Sequence, residues 1–302
     1  MVKTAPKPAT KPVVYKKPAS VPAKIEPAEI EDVNDEDAAL ALADAERYGQ
    51  KLGREDVAIP RIVILQSNSP QCNPAHGKYL EEAKQGMIMN TVTNELWDGK
   101  NGVMVVPIAY RRAHYQWPPR GKEGTQTAAM GPAKDWGPVE PEGPEFYRDE
   151  KNRLRLYTTP GKPQDKVDHL ITATAEYIVQ VAGQTNFYPA ILSMSRTQLK
   201  KARNWNGAMR NVAVKHPSGN GFFNPAWFYF AYNLTTVPES NAEGNWFGWA
   251  IKQGPKTTSL PGGRKVYEDS KALHELWMSG GITSAPVEAE YVEEVSDENS
   301  PI

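Results

Sequence analysis

The run HLITATAEYIVQV, His169 to Val181, is followed by Gly183-Gln184-Thr185-Asn186 and then by FYPAILSM, Phe187 to Met194. Both apolar runs are rich in β-branched and aromatic residues, and the short polar connector contains glycine. That pattern predicts two antiparallel strands joined as a hairpin. Upstream, GVMVVPIAYRRAHYQW, Gly102 to Trp117, predicts one or two longer strands. Shorter strands are expected over 59–66, 86–93 and 154–158. Downstream, aromatic runs over 222–236 and 245–252, joined around Glu239-Ser240-Asn241, add two more. Helical periodicity interrupts this pattern over 196–213 and 265–279. Many strands at such spacing predict a closed or partly closed barrel.

The organisation around that barrel follows from composition. Residues 1–24 hold six lysines and no acid among repeated prolines, and 25–56 hold eleven acids against three bases. Residues 1–34 read as a disordered Lys/Pro-rich, then acidic, arm, because such a segment cannot bury enough apolar surface to offset its ordering entropy. Residues 35–52 read as a short helix and linker, with Gly49 stopping the helix. A β-rich domain is expected over 53–284, with a Pro/Gly-rich insertion at about 118–165, and 285–302 is an acidic disordered tail with six acids and no base. The fold class is therefore mainly β (α+β): an elaborated oligonucleotide-binding-type barrel with two accessory helices and disordered termini.

Charge separates these regions. The chain's formal charge is −1, yet residues 57–284 hold 26 Lys or Arg against 19 Asp or Glu. A cationic body beside an acidic tail suits a nucleic-acid binder, although many domains carry a modest positive excess. Cys72 is the single cysteine, so an internal disulfide and a thiolate zinc cluster are excluded. No stretch approaches the ~20 apolar residues that span a bilayer, and the basic N-terminus lacks the apolar core of a secretory signal. A cytoplasmic protein without membrane partners is expected.

Three constellations suggest where a polyanion binds. In the segment from Arg196, Ser195 and Gln198 form an S-x-x-Q capping box. Leu199, Ala202, Trp205, Met209, Val212 and Ala213 then share one helix face, while Arg196, Lys200, Arg203 and Arg210 form a neighbouring basic stripe, with Lys201 outside it. Four like charges repel mildly unless a polyanion neutralises them, and a solvated basic face is the plainer alternative. In Tyr110-Arg111-Arg112-Ala113-His114-Tyr115-Gln116-Trp117, with Arg120 nearby, strand alternation puts Tyr110 and Arg112 on one face and Arg111, Tyr115 and Trp117 on the other. Cations for phosphates and rings for bases are the combination that holds single-stranded nucleic acid, although one face can be simple core. Trp227 to Phe230 and Trp246 to Trp249, with Lys252 beyond, put rings on both faces of neighbouring strands.

The tail residues Glu288, Glu290, Glu293, Glu294, Asp297 and Glu298 can mimic a nucleic-acid backbone and dock on partner proteins, or serve only as a solubilising terminus. The five histidines show no metal-binding spacing, and no phosphate loop, dinucleotide fingerprint or nucleophile elbow is present. No cofactor, metal or catalysis is therefore expected, though catalytic groups need only spatial proximity.

Four stretches together resemble phage-encoded single-stranded DNA-binding proteins of oligonucleotide-binding fold. They are GREDVAIPRIVILQSNSP (53–70), NTVT (90–93), VPIAYRR (106–112) and SRTQLKKARNW (195–205). The resemblance covers roughly residues 53–255. It implies sequence-independent single-stranded DNA binding in phage DNA replication or recombination, inside the infected bacterial cell, with the tail recruiting replication or recombination proteins. The chain departs from that pattern in its long insertion and in ending Ser300-Pro301-Ile302, without a terminal Phe. From a different class, a phage virion or scaffold protein would use the same aromatic surfaces and arms for subunit contacts.

Overall fold

The structure, a computed structural model, describes residues 59–117, 134–164, 167–241 and 244–279. Its first strands are β1 (Arg61–Ile64), β2 (Ile88–Asn90), β3 (Leu96–Trp97) and β4 (Val103–Trp117). β5 (Lys134–Asp135), β6 (Phe146–Arg148) and β7 (Leu154–Leu156) precede the long strands β8 (His169–Ala182) and β9 (Phe187–Ser195). After α1 (Leu199–Arg210) come β10 (Val214–Lys215), β11 (Phe222–Phe223), β12 (Phe230–Asn241), β13 (Gly244–Lys256) and α2 (Gly263–Met278). The chain is mainly β with two α-helices among the described residues, as the sequence predicts.

β8 and β9 form the expected hairpin, in register from Thr174↔Ser195 to Ala182↔Phe187, and the Gly183 N–H donates to the Asn186 carbonyl to close it. β4 lies along the other edge of β8 as one continuous strand. Its register slips between Pro107 and Ala109. Proline has no N–H to give the ladder, so a bulge beside it sacrifices little pairing. The extra residue also reverses the alternation, so Val105 and Tyr110 face the same side despite their odd separation.

The sheet runs β13-β12-β4-β8-β9-β1-β2-β3, with β5 on β4 and the β6–β7 hairpin on β8. Among the described residues only the β1–β9 pair is parallel. The sheet curls into a half-barrel. Its inner face buries Val105, Tyr177, Val179, Leu192, Tyr232, Leu234 and Trp249, and α1 lays Ala202, Trp205 and Met209 into the same core. On the outer face, α2 packs Val266 with Val106, Phe228 and Ala231, and sets Leu273 and Trp277 against Ile108 and Ile178.

Side chains close the seam. The Gln66 carboxamide donates to the Phe247 carbonyl (2.9 Å) and accepts the Phe247 N–H (2.9 Å). Thr236 adds its N–H to Gly99 O (2.8 Å) and its hydroxyl to Gly86 O (2.5 Å). Gly86 has φ +84°, and a Cβ there would lie 2.7 Å from the Phe247 ring, so this crossing needs glycine.

Two local expectations are revised. Ser195 makes no side-chain cap; residues 196–198 form a 3-10 turn, and the Gln198 carboxamide instead accepts from the Trp249 N–H (2.9 Å) and donates to Glu239 (3.1 Å). Tertiary partners on β13 thus replace the local capping box. The aromatic run over 222–236 is not one strand: Phe222–Phe223 pairs with Val214–Lys215, and Trp227–Tyr229 is a 3-10 turn before β12. The described part of the insertion is structured, because buried Asp168 accepts from Thr158 N, Gln164 N and the Tyr147 hydroxyl at 2.6–2.7 Å. The expected N-terminal arm and helix, residues 118–133 and the acidic tail lie outside the described residues.

Candidate nucleic-acid interface

Strand alternation in β4 distributes its side chains as the sequence predicts, but packing then decides which remain accessible. Arg111, Tyr115 and Trp117 take the outer face. There Arg111 meets the buried Glu176 (2.7 Å) and Asp135 (3.0 Å), and donates to the Tyr115 hydroxyl (3.0 Å). Its charge is matched internally, which removes it as a phosphate anchor. Burial is the factor that most opposes ionisation of Glu176, yet the Arg61 and Arg111 guanidiniums together outweigh it and hold the carboxyl below its ordinary value.

The stacking role expected of five rings is corrected. Tyr115, Trp117, Trp205, Trp246 and Trp249 are all buried. Tyr115 and Trp117 pack on each other with ring centroids 6.3 Å apart. Trp205 lies between Tyr177 (4.6 Å) and Tyr232 (5.5 Å) in the inner core, where Trp249 also sits. Trp246 donates its indole N–H to Glu239 (2.7 Å). Large rings are worth most to the fold as buried area, and packing between α1 and the sheet covers Trp205 and Trp249.

Two cations are placed apart from the stripe. Lys201 is paired with Glu239 on the flank of α1 that faces β12 and β13. Lys252 is exposed but pairs in register with Asn233, which in turn pairs with Met104, a residue packed in the core beneath α2. It therefore belongs to the opposite sheet face from α1. Arg196 is half-buried at φ +50°, where the chain turns into α1. Arg120 and Glu288, Glu290, Glu293, Glu294, Asp297 and Glu298 lie outside the described residues.

What does come together is a smaller site. Lys200, Arg203 and Arg210 are exposed on α1, and none has an ion-pair partner among the described residues. Arg210, with Asn206 and Gly207, lines an open cleft of about 370 Å³ whose remaining walls are Tyr110 and Trp227. Tyr110 is half-buried, with its ring 5.2 Å from Tyr177 and 6.3 Å from Trp227. Asn206 is fixed by the Tyr177 hydroxyl, which donates to its Oδ1 (2.8 Å). Arg112, exposed, follows Tyr110 on the same face of β4, a pleat repeat of roughly 7 Å away. The site thus offers cations along α1 and β4 with two partly accessible rings between them.

Trp227 belongs to this site but stood in the sequence only as one ring of an aromatic run. A second signal in the sequence marks the region more directly. Residues 177–238 contain no Asp or Glu and six Lys or Arg, so the whole passage from β8 through α1 to β12 supplies only positive charge. Glu239, the first acid after it, is already paired with Lys201.

A family model described as Pam3 phage gp34-like protein matches residues 33–283. No curated protein and no solved structure matches the chain.

Proposed function

The chain belongs to the Pam3 phage gp34-like protein family, and from that premise we propose that it binds single-stranded DNA without sequence preference and performs no chemistry on it. The observation that carries this reading is the unmatched cationic face of α1, Lys200, Arg203 and Arg210, of which Arg210 lines a cleft walled by Tyr110 and Trp227. Phosphates lie along the cations and release their counterions, while an unpaired base enters the cleft. Neither contact reads a base edge, so affinity is indifferent to sequence. In an infected bacterial cell such a protein covers single strands exposed during phage DNA replication or recombination, and the acidic tail offers a contact for other proteins of those processes.

The test is a titration of the full chain with labelled oligo-dT and with a duplex of equal length, across a salt series. Binding should favour the single strand, and log K should fall with log salt at about −0.7 per phosphate engaged. Lys200→Glu with Arg203→Glu should weaken binding and flatten that slope, while Lys252→Glu, on the opposite face, should leave both unchanged. Equal affinity for duplex and single strand, or a slope indifferent to the α1 pair, removes the reading.

A further inference from the structure

The β10–β11 hairpin carries the most exposed aromatic ring among the described residues, Phe222, at 75% accessibility. It pairs Val214 with Phe223 and Lys215 with Phe222. Cross-strand partners project to the same face, so one face of the hairpin presents an ammonium beside a phenyl ring. Lys215 has no ion-pair partner among the described residues. The other face turns back on itself, with the His216 and Phe223 rings edge to face at 6.1 Å.

The hairpin is shaped by its own bonds. His216 N–H donates to Gly221 O (3.0 Å), Gly219 N–H to His216 O (2.9 Å) and Ser218 N–H to His216 Nδ1 (3.2 Å). Gly219 and Gly221 have φ of +84° and +79°, conformations that suit glycine. At its base, the Asn224 amide donates to the Arg210 carbonyl (2.6 Å), which ties the hairpin to the end of α1 that lines the cleft. A phenyl ring held in water gains nothing for the fold, and here a cation stands next to it in a segment that lacks any carboxylate.

We infer that the Lys215–Phe222 face of this hairpin is a second base-stacking station for an unpaired polynucleotide, continuing the path that leaves the cleft past Arg210. This rests on the single-strand reading above and extends it by naming the ring that stacks. Lys215 takes a phosphate, Phe222 lies on the adjoining base, and the short glycine-held turn fixes both before the strand arrives.

The experiment is the oligo-dT titration of the full chain with Phe222→Ala, Phe222→Trp and wild type, each checked for unchanged thermal unfolding. Phe222→Ala should weaken binding about tenfold with the salt slope intact, since a ring displaces no counterion. Phe222→Trp should keep wild-type affinity and add indole emission that oligo-dT quenches. If Phe222→Ala binds as tightly as wild type while wild type still prefers single strands, the station is wrong and the broader reading stands. If wild type fails to bind oligo-dT, the broader reading falls and takes the station with it. If Phe222→Ala instead abolishes self-association in sedimentation and leaves oligo-dT affinity unchanged, the ring is a protein contact and the station is overturned.

Discussion

The side chain of Gln66 stands in for a strand: its carboxamide gives Phe247 both hydrogen bonds, donor and acceptor, that a backbone neighbour in the ladder would give. Gln66 is buried and follows β1, while Phe247 lies near the start of edge strand β13. Gln66→Leu keeps similar volume and strands two backbone groups of Phe247. Each buried unpaired group costs about 1–3 kcal/mol, so a loss of about 2–4 kcal/mol is expected in urea unfolding. Hydrogen exchange at the Phe247 amide should accelerate more than at Tyr177 in the centre of the sheet. An unchanged midpoint together with unchanged Phe247 exchange would show that the seam holds without the carboxamide.

Acid should find the Arg61–Glu176–Arg111 cluster. Glu176 is almost wholly buried, 3.2 Å from Arg61 and 2.7 Å from Arg111, and its carboxyl sits below the ordinary 4.5 in the folded chain. The unfolded chain therefore takes up this proton first as pH falls. The stabilisation is complete above the unfolded value and is lost as pH drops through the folded one, from about pH 5 downward. Asp149 and Asp168 act in the same sense, since hydrogen bonds outweigh burial at both and lower them below 3.8. Glu176→Gln breaks the buried cluster and should cost about 3–5 kcal/mol at pH 7 while flattening the acid limb of the stability curve. Parallel acid limbs for wild type and Glu176→Gln, measured by urea unfolding at each pH, would detach the pH dependence from this carboxylate.

Periodicity made the alternation of β4 legible, and it placed Ala202, Trp205 and Met209 on one helix face before any partner was known. It could not say which side of the sheet would be covered, because that depends on where α2 lands, about 160 residues after β4 begins. Arg111 looked available in its own neighbourhood of cations; its partner Glu176 is 65 residues away and becomes adjacent only through the β4–β8 register. Local sequence likewise suggested that Gln198 caps its own helix, whereas β13 claims its side chain. The charge pattern was the more faithful guide to the candidate site. Desolvation buries rings wherever cover exists but keeps unmatched cations at the surface, so Lys200, Arg203 and Arg210 stayed outside while Trp205 did not.

Gly207 separates the cleft from the fold that supports it. It occupies the interior of α1 and lines the cleft, and a Cβ added there would meet nothing within 4 Å. Glycine in a helix interior costs about 0.5–1 kcal/mol relative to alanine, so Gly207→Ala should raise stability by about that much and barely change binding. Gly207→Glu also replaces glycine with a better helix former, so its unfolding midpoint should be no lower than wild type. Its carboxylate, however, enters the cleft beside Arg210, neutralising a phosphate anchor and repelling the next phosphate. Oligo-dT affinity should fall by about tenfold or more at low salt, equivalent to about 1.4 kcal/mol, with the deficit shrinking as salt rises. Because the fold is kept or strengthened, lost affinity here cannot come from unfolding. A Gly207→Glu protein that binds oligo-dT like wild type at low salt would place the strand elsewhere and leave the ring-walled cleft without a role in binding.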